Sequence, residues 1–186
     1  MEQTLVIFKP DTVKRGLIGE ILSRFERVGL KIVGMKMVQV DDKLAEAHYA
    51  DKLADIIGHK TKTDWDNYGL EYVETPEEIG KIILKSTREF MTSAPVVAVV
   101  FEGDHCVEIV RKLVGSTGPK DSAPGTIRGD FAHLSLGKAS SRKKGAANLI
   151  HASGTVEEAI SEIKLWFLPE EIFSYKLSHE DLTHVS

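Results

Sequence analysis

The chain has 186 residues and a single cysteine, Cys106. No disulfide can form within it, and a zinc cage built from cysteines is excluded. Long apolar runs are also missing: no segment approaches the roughly 18 uninterrupted apolar residues of a membrane-spanning helix. The start, Met1-Glu2-Gln3-Thr4, carries no basic stretch leading into an apolar run, so the expected location is cytoplasmic, with no membrane partner. Positive charge is not in excess either, since 24 Lys+Arg against 28 Asp+Glu leave a net charge of -4. The scattered cations exclude the broad basic face of a dedicated nucleic-acid binder, but they leave room for a local cluster around a small anion. With 42% hydrophobic residues the chain can bury a core of its own, and one domain over residues 1–186 is expected.

What is present is organised by hydrophobic period. Leu5-Val6-Ile7-Phe8, ended by Lys9-Pro10-Asp11, reads as a buried strand whose carboxyl end delivers a lysine to a turn. Leu17, Ile18, Ile21, Leu22, Phe25 and Val28 recur at helical spacing before Gly29. Leu30 to Val40 predicts a second strand, Pro95 to Phe101 a third, and Val107, Val110, Leu113 and Val114 a short helix. A fourth strand is expected over Phe131 to Leu136. A last helix carries Val156, Ala159, Ile160, Ile163 and Phe167 on one face, with Thr155 and Glu158 spaced as a capping box and Pro169 as its stop. The order predicts an α+β, ferredoxin-like βαββαβ fold, an antiparallel sheet with helices on one face. Two stretches read as insertions. Residues 51–80, with Trp65, Tyr68 and Tyr72, can carry helices of their own, whereas residues 135–147, rich in Gly, Ser and Lys/Arg, read as a mobile loop.

The densest chemical signal is the stretch from Gly115 to Asp130, with four glycines and two prolines among polar residues. Such a segment exposes amides and hydroxyls, and with Arg111 before it and Arg128 near its end it suits phosphate; alone it equally describes an ordinary surface loop. His151 precedes the amino terminus of the last helix, where amides and helix dipole favour a phosphoryl group beside the ring, and a neutral imidazole is a competent nucleophile. Glu162 lies two turns into that helix, within reach of the other ring nitrogen, though on sequence alone it is one more helix carboxylate. Lys9 is either a solvated strand-end lysine or a cation for phosphate oxygens. Gly137-Lys138 is no Walker A loop, because Ala132 and Ala139 stand where that pattern needs Gly and Ser/Thr. Arg142-Lys143-Lys144 read as a solvated run.

Phe8-Lys-Pro-Asp11, Arg15 to Ile21, His48-Tyr49, Pro95 to Ala98, the whole Arg111 to Asp130 stretch and Asn148-Leu-Ile-His151-Ala-Ser153 together resemble the nucleoside diphosphate kinase family. The likeness covers all but the two insertions and the tail. It implies that His151 is the phosphorylated nucleophile, oriented by Glu162, with Ser153 and Tyr49 in the surrounding hydrogen-bond network. It further implies that Lys9, Arg111, Thr117, Arg128 and Asn148 hold the phosphates and ribose of NTP and NDP substrates. Magnesium would be held mainly by the nucleotide phosphates, and the chain would assemble as a homo-oligomer, a hexamer or tetramer.

Three departures from the family pattern stand out. Ala152 replaces the glycine usual after the nucleophile, and Gly154 stands where an acidic residue is usual, which weakens any protein contact to magnesium. The first insertion falls where an aromatic side chain normally caps the base; counting back from Pro95 reaches Ile83 and Leu84, so no base-stacking residue is assigned. The second insertion bears on access or assembly. The resemblance therefore points to ping-pong transfer of a γ-phosphate through His151. A catalytically weak nucleotide-binding or scaffolding member is the alternative. An RNA-binding ferredoxin-like module is disfavoured by the charge and by the lack of an RNP1-like aromatic, glycine and basic string.

Overall fold

The computed structural model describes residues 1–178 and 180. Four strands, β1 (Glu2–Phe8), β2 (Lys31–Val38), β3 (Val96–Gly103) and β4 (Ile150–Ala152), form one antiparallel sheet in the order β2-β3-β1-β4. Around it lie α1 (Pro10–Lys14), α2 (Ile18–Arg27), α3 (Asp42–His48), α4 (Ala54–Asn67), α5 (Pro76–Thr92), α6 (Cys106–Val114), α7 (Ile127–Phe131), α8 (Leu136–Ser141) and α9 (Val156–Trp166). The two crossovers, β1-α2-β2 and β3-α6-β4, are the ferredoxin-like plan expected from the periodicity.

The central strands explain their own composition. β1 and β3 are apolar almost throughout because both of their faces are covered. Val6, Phe8, Val97, Val99 and Phe101 pack with Ile21 and Phe25 of α2 and with Val110 and Val114 of α6. Leu5, Ile7, Ala98 and Val100 point the other way, into a second cluster with Ala45 of α3, Met91 of α5 and Trp166 of α9. The expectation of helices on one face thus holds for the two crossover helices, while α3, α5 and α9 close the opposite face.

The fourth strand is not where the sequence suggested. Thr126 accepts a hydrogen bond from Gly129 N and starts α7, which uses up Phe131, and residues 132–135 run without strand pairing. The fourth strand is Ile150–Ala152, paired with β1 through Phe8↔Ile150, Ile7↔His151 and Val6↔Ala152. At three residues it is too short to show a period.

Both insertions are structured, and they pack on each other. Residues 51–80 supply α4 and the start of α5, which opens with a full capping box between Thr75 and Glu78. The two helices cross at glycines: a Cβ on Gly58 would lie 1.6 Å from Pro76 O, and one on Gly80 would lie 1.8 Å from Ala54 O. Within the second insertion, where composition suggested a mobile loop, α8 forms. Ser135 caps it by accepting from Lys138 N, and the Trp65 indole donates to Ser140 Oγ at 2.7 Å, tying α8 to α4.

Candidate active site

The site begins with a strained residue. Leu149 is fully buried and has φ 72°, a left-handed backbone that a bulky side chain rarely adopts, at a cost of about 1–3 kcal/mol. Three hydrogen bonds from the end of β1 hold it there. Lys9 N and Thr12 Oγ1 donate to its carbonyl, and its N–H donates to Asp11 Oδ2 at 2.9 Å. The Lys-Pro-Asp turn after β1 and the residues before β4 are therefore one unit. It sets where β4 begins at Ile150, and so where His151 emerges opposite Ile7.

His151 is held from the α9 side. Its Nε2 lies 2.9 Å from Glu162 Oε1 and 3.1 Å from Oε2. Ser153, fully buried beside β1, donates its hydroxyl to Glu162 Oε2 at 2.6 Å. Burial opposes charge on Glu162, but the hydrogen bond and charge of His151, helped by His48 and Ser153, outweigh it and hold the carboxyl below its ordinary range. With Nε2–H donating to this carboxylate, Nδ1 of His151 carries the free lone pair.

A pocket of about 200 Å³ opens beside the ring, lined by Lys9, Tyr49, Arg111, Thr117, Arg128, Asn148 and His151 among others. Three cations border it, no carboxylate does, and none of the three forms an ion pair among the described residues. Lys9 is only 6% exposed and Arg128 only 8%. Burial, then the charge of Arg128, pulls the Lys9 ammonium down to about 8, against the opposing pull of Asp11. Burial and the neighbouring Arg111 likewise bring Arg128 to about 10, so it stays charged. Two buried cations with no ion-pair partner among the described residues favour an anionic ligand.

The other expected residues fall around this pocket with different degrees of engagement. Asn148 links two of them, accepting from Lys9 Nζ at 2.8 Å and donating from Nδ2 to Thr117 O at 2.8 Å. Arg128 donates to the carbonyls of Gly115, Ser116, Asn148 and Ile150, so it is a staple of the loop as well as a pocket wall. Arg111 and Thr117 are exposed at the rim. Tyr49 lines the pocket, but its buried hydroxyl has no hydrogen-bond partner among the described residues; its ring meets His48 edge-on at 4.6 Å and lies 6.5 Å from His151. His48, to which the sequence assigned no role of its own, also belongs to the site. Its ring packs edge-on against His151 at 4.5 Å, and its Nδ1 accepts from the Trp166 indole at 3.2 Å. Burial and the charge of His151 push it down to about 3, so it is a neutral ring. Its place beside Tyr49 in the His48-Tyr49 pair was the available signal, as the Lys9-Pro10-Asp11 string was for Asp11.

Thr117 also borders a second pocket, of about 550 Å³, between α4, α5 and α8. Ile57, Thr61, Ile83, Thr87, Leu136 and Ala139 contribute to its wall, whereas Leu84 is buried in the core.

Fold and site together define an α+β protein in which a hydrogen-bonded imidazole faces a cationic, anion-demanding pocket. The family model described as nucleoside diphosphate kinase matches residues 2–62 and 72–172. The nucleoside diphosphate kinase of Pyrococcus furiosus is 48% identical over 175 residues, 94% of this chain and 88% of that one. An NDP kinase crystal structure from Pyrobaculum aerophilum superposes with a TM-score of 0.88 at 41% identity, covering 93% of this chain and 99% of that chain. A transition-state mimic of the Borrelia burgdorferi enzyme with bound vanadate and ADP has a TM-score of 0.80 at 41% identity, over 96% of this chain and 94% of that one. The chain belongs to the nucleoside diphosphate kinase family.

Proposed function

We propose that this chain transfers the γ-phosphate of an NTP to an NDP by a ping-pong route through a phosphohistidine at His151. The observation that carries this reading is the convergence of Lys9, Arg111 and Arg128, none of them in an ion pair among the described residues, on the pocket that borders His151. His151 Nδ1 attacks the γ-phosphorus in line, the bond to the diphosphate oxygen breaks, and the NDP leaves. A second NDP attacks the phosphohistidine and takes the phosphoryl group away. Glu162 holds Nε2–H throughout and stabilises the positive ring as the N–P bond forms. Lys9, Arg111 and Arg128 neutralise charge on the phosphate oxygens, each charge-assisted contact contributing about 1.5–3 kcal/mol. Asn148 and Thr117 hold the ribose end.

Magnesium fits this arrangement as an ion carried on the nucleotide, because the lining offers it cations and no carboxylate, leaving the phosphates as its ligands. When bound, it supplies charge neutralisation between phosphate oxygens. The base enters the neighbouring pocket past Thr117, against Ile57 and Ile83; among its lining residues there is no aromatic side chain. Assembly as a homo-oligomer belongs to the same reading, supported by the exposed Met35 and Met37 on the edge strand β2.

The test is labelling with γ-labelled ATP and magnesium followed by a GDP chase. Wild type should take up acid-labile label and pass it to GTP, and His151→Ala should take up none. A folded wild type that binds nucleotide but never becomes labelled would replace the enzyme by a binding or scaffolding protein.

A further inference from the structure

We propose that Asp64 reads the base of the bound nucleotide and makes guanine the preferred one; this rests on the phosphoryl-transfer reading above, which sends the base past Thr117 into the pocket between α4, α5 and α8. The wall of that pocket is not wholly aliphatic. Among side chains such as Ile57 and Leu136 stand the carboxylate of Asp64 and the ammonium groups of Lys60 and Lys144. A few polar groups placed in an otherwise apolar wall are what orients a ligand and discriminates between ligands of similar shape.

Asp64 sits on α4, half-buried, and no hydrogen bond or ion pair among the described residues satisfies its carboxylate. This sets it apart from its neighbours. Acid–base pairs one turn apart form elsewhere on the same helix, Asp66 with Lys62 at 3.0 Å and Asp55 with His59 at 3.5 Å, whereas Asp64 and Lys60, at the same spacing, do not pair. Burial, and then the charge of Asp121, raise the pKa of Asp64 from the ordinary carboxylate value. A carboxylate held in a pocket wall without a donor is stabilised by a ligand that brings one.

The two oxygens of a carboxylate are best met by two donors side by side. Guanine alone among the common bases offers that pair, its N1–H next to its 2-amino group. Adenine and cytosine set their amino group beside a ring-nitrogen lone pair, and uracil sets its N–H between two carbonyls. Guanine also carries a 6-carbonyl beside N1–H, an acceptor for an ammonium group such as that of Lys60 or Lys144. Adenine in the same place turns a lone pair toward the carboxylate. A site that hydrogen-bonds a particular group on its ligand discriminates against the analogue that lacks it. The ordinary alternative is that Asp64 is a solvated helix carboxylate, indifferent to the base.

The experiment measures the affinities of GDP, IDP and ADP by calorimetry in the presence of Mg²⁺, with melting temperatures, for wild type and Asp64→Ala. IDP keeps the 6-carbonyl and N1–H of guanine and lacks only the 2-amino group. Wild type should bind GDP about tenfold more tightly than ADP, with IDP between them. Asp64→Ala should lower GDP affinity about tenfold and IDP affinity less, with ADP affinity no lower. Its melting temperature should not fall, because alanine suits a helix and no partner of the carboxylate is lost. Equal affinities for the three in wild type, or a guanine preference that survives Asp64→Ala, would overturn the assignment. So would an equal fall for GDP and ADP, which would make Asp64 a support of the pocket and no reader of the base. A wild type that binds none of the three and takes no label would bring down the phosphoryl-transfer reading itself, and this assignment with it.

Discussion

Glu162 accepts from His151 Nε2 and from the Ser153 hydroxyl at once, with Oε1 2.9 Å from the ring nitrogen and Oε2 2.6 Å from the serine oxygen. The serine is locked in turn by Leu5 of β1, whose N–H donates to Ser153 Oγ at 3.3 Å. One ring nitrogen is thus committed to the scaffold, and the other is left for chemistry.

Glu162→Gln keeps the size of the side chain but replaces one of its two accepting oxygens by an NH₂ group and removes the charge proposed to stabilise the ring as it is phosphorylated. About 1.5–3 kcal/mol is at stake, so rapid-quench labelling should show phosphohistidine forming about ten- to hundredfold more slowly. ADP affinity should be unchanged, because Glu162 does not line the phosphate pocket. Equal rates in the two proteins would remove Glu162 from the mechanism.

If Lys9 meets the nucleotide phosphates as proposed, it should make nucleotide binding proton-linked. Its folded pKa is lowered to about 8 by burial and by Arg128, so the free protein loses this charge as pH rises through 8, whereas bound phosphate favours the charged form. ADP affinity should therefore decline above pH 8, and binding at pH 9 should take up as much as about one proton. Calorimetry in buffers of different ionisation heat reads this directly. The uptake should vanish in Lys9→Gln; no uptake by wild type would contradict the lowered pKa of the buried lysine.

Arg128 should prove structural as well as functional. Its guanidinium meets four backbone carbonyls through Nε, Nη1 and Nη2, an arrangement that a single ammonium cannot reproduce. Arg128→Lys leaves buried carbonyls unsatisfied and should cost about 2–3 kcal/mol of stability. Thermal unfolding should shift down by about 2–4 °C per kcal/mol. Unchanged melting would mean that the loop does not depend on these bonds.

The crossing of α4 and α5 should be intolerant of a methyl group. Gly80→Ala offers a gain of about 1 kcal/mol in helix propensity. The new Cβ would nonetheless fall 1.8 Å from a carbonyl oxygen, so the helices must part. Net destabilisation of about 1–3 kcal/mol is expected, with faster hydrogen exchange over residues 54–92. A more stable Gly80→Ala protein would show that the helices are not in close contact.

Much of the fold could be read from the chain itself, because a period reports burial wherever an element is long enough. The apolar runs of β1 and β3 and the stripes of α2 and α6 were legible for that reason, whereas in α9 Val156 and Ile160 of the expected apolar face are exposed and Ala159 and Trp166 are the buried residues. The fourth strand was not: Ile150–Ala152 is a strand only because β1 offers hydrogen bonds beside it, while Phe131 belongs to a capped helical turn. The second insertion was misread for a related reason. Its Gly/Ser composition describes a loop in isolation, but the Trp65 indole makes Ser140 part of a packed helix.

The proposed site residues were likewise singled out from the order of the chain alone. Lys9, Arg111, Arg128, Asn148, His151 and Glu162 are residue types whose chemistry suits phosphate and its transfer, and their motifs are local strings. Only the tertiary structure decided that the Tyr49 hydroxyl has no hydrogen-bond partner among the described residues, that His48 is the ring packed against His151, and that Arg128 is a staple. The physical reason is that side-chain type and local period are properties of neighbours in sequence. Charge pairing, burial and the filling of space depend on residues brought together from distant parts of the chain.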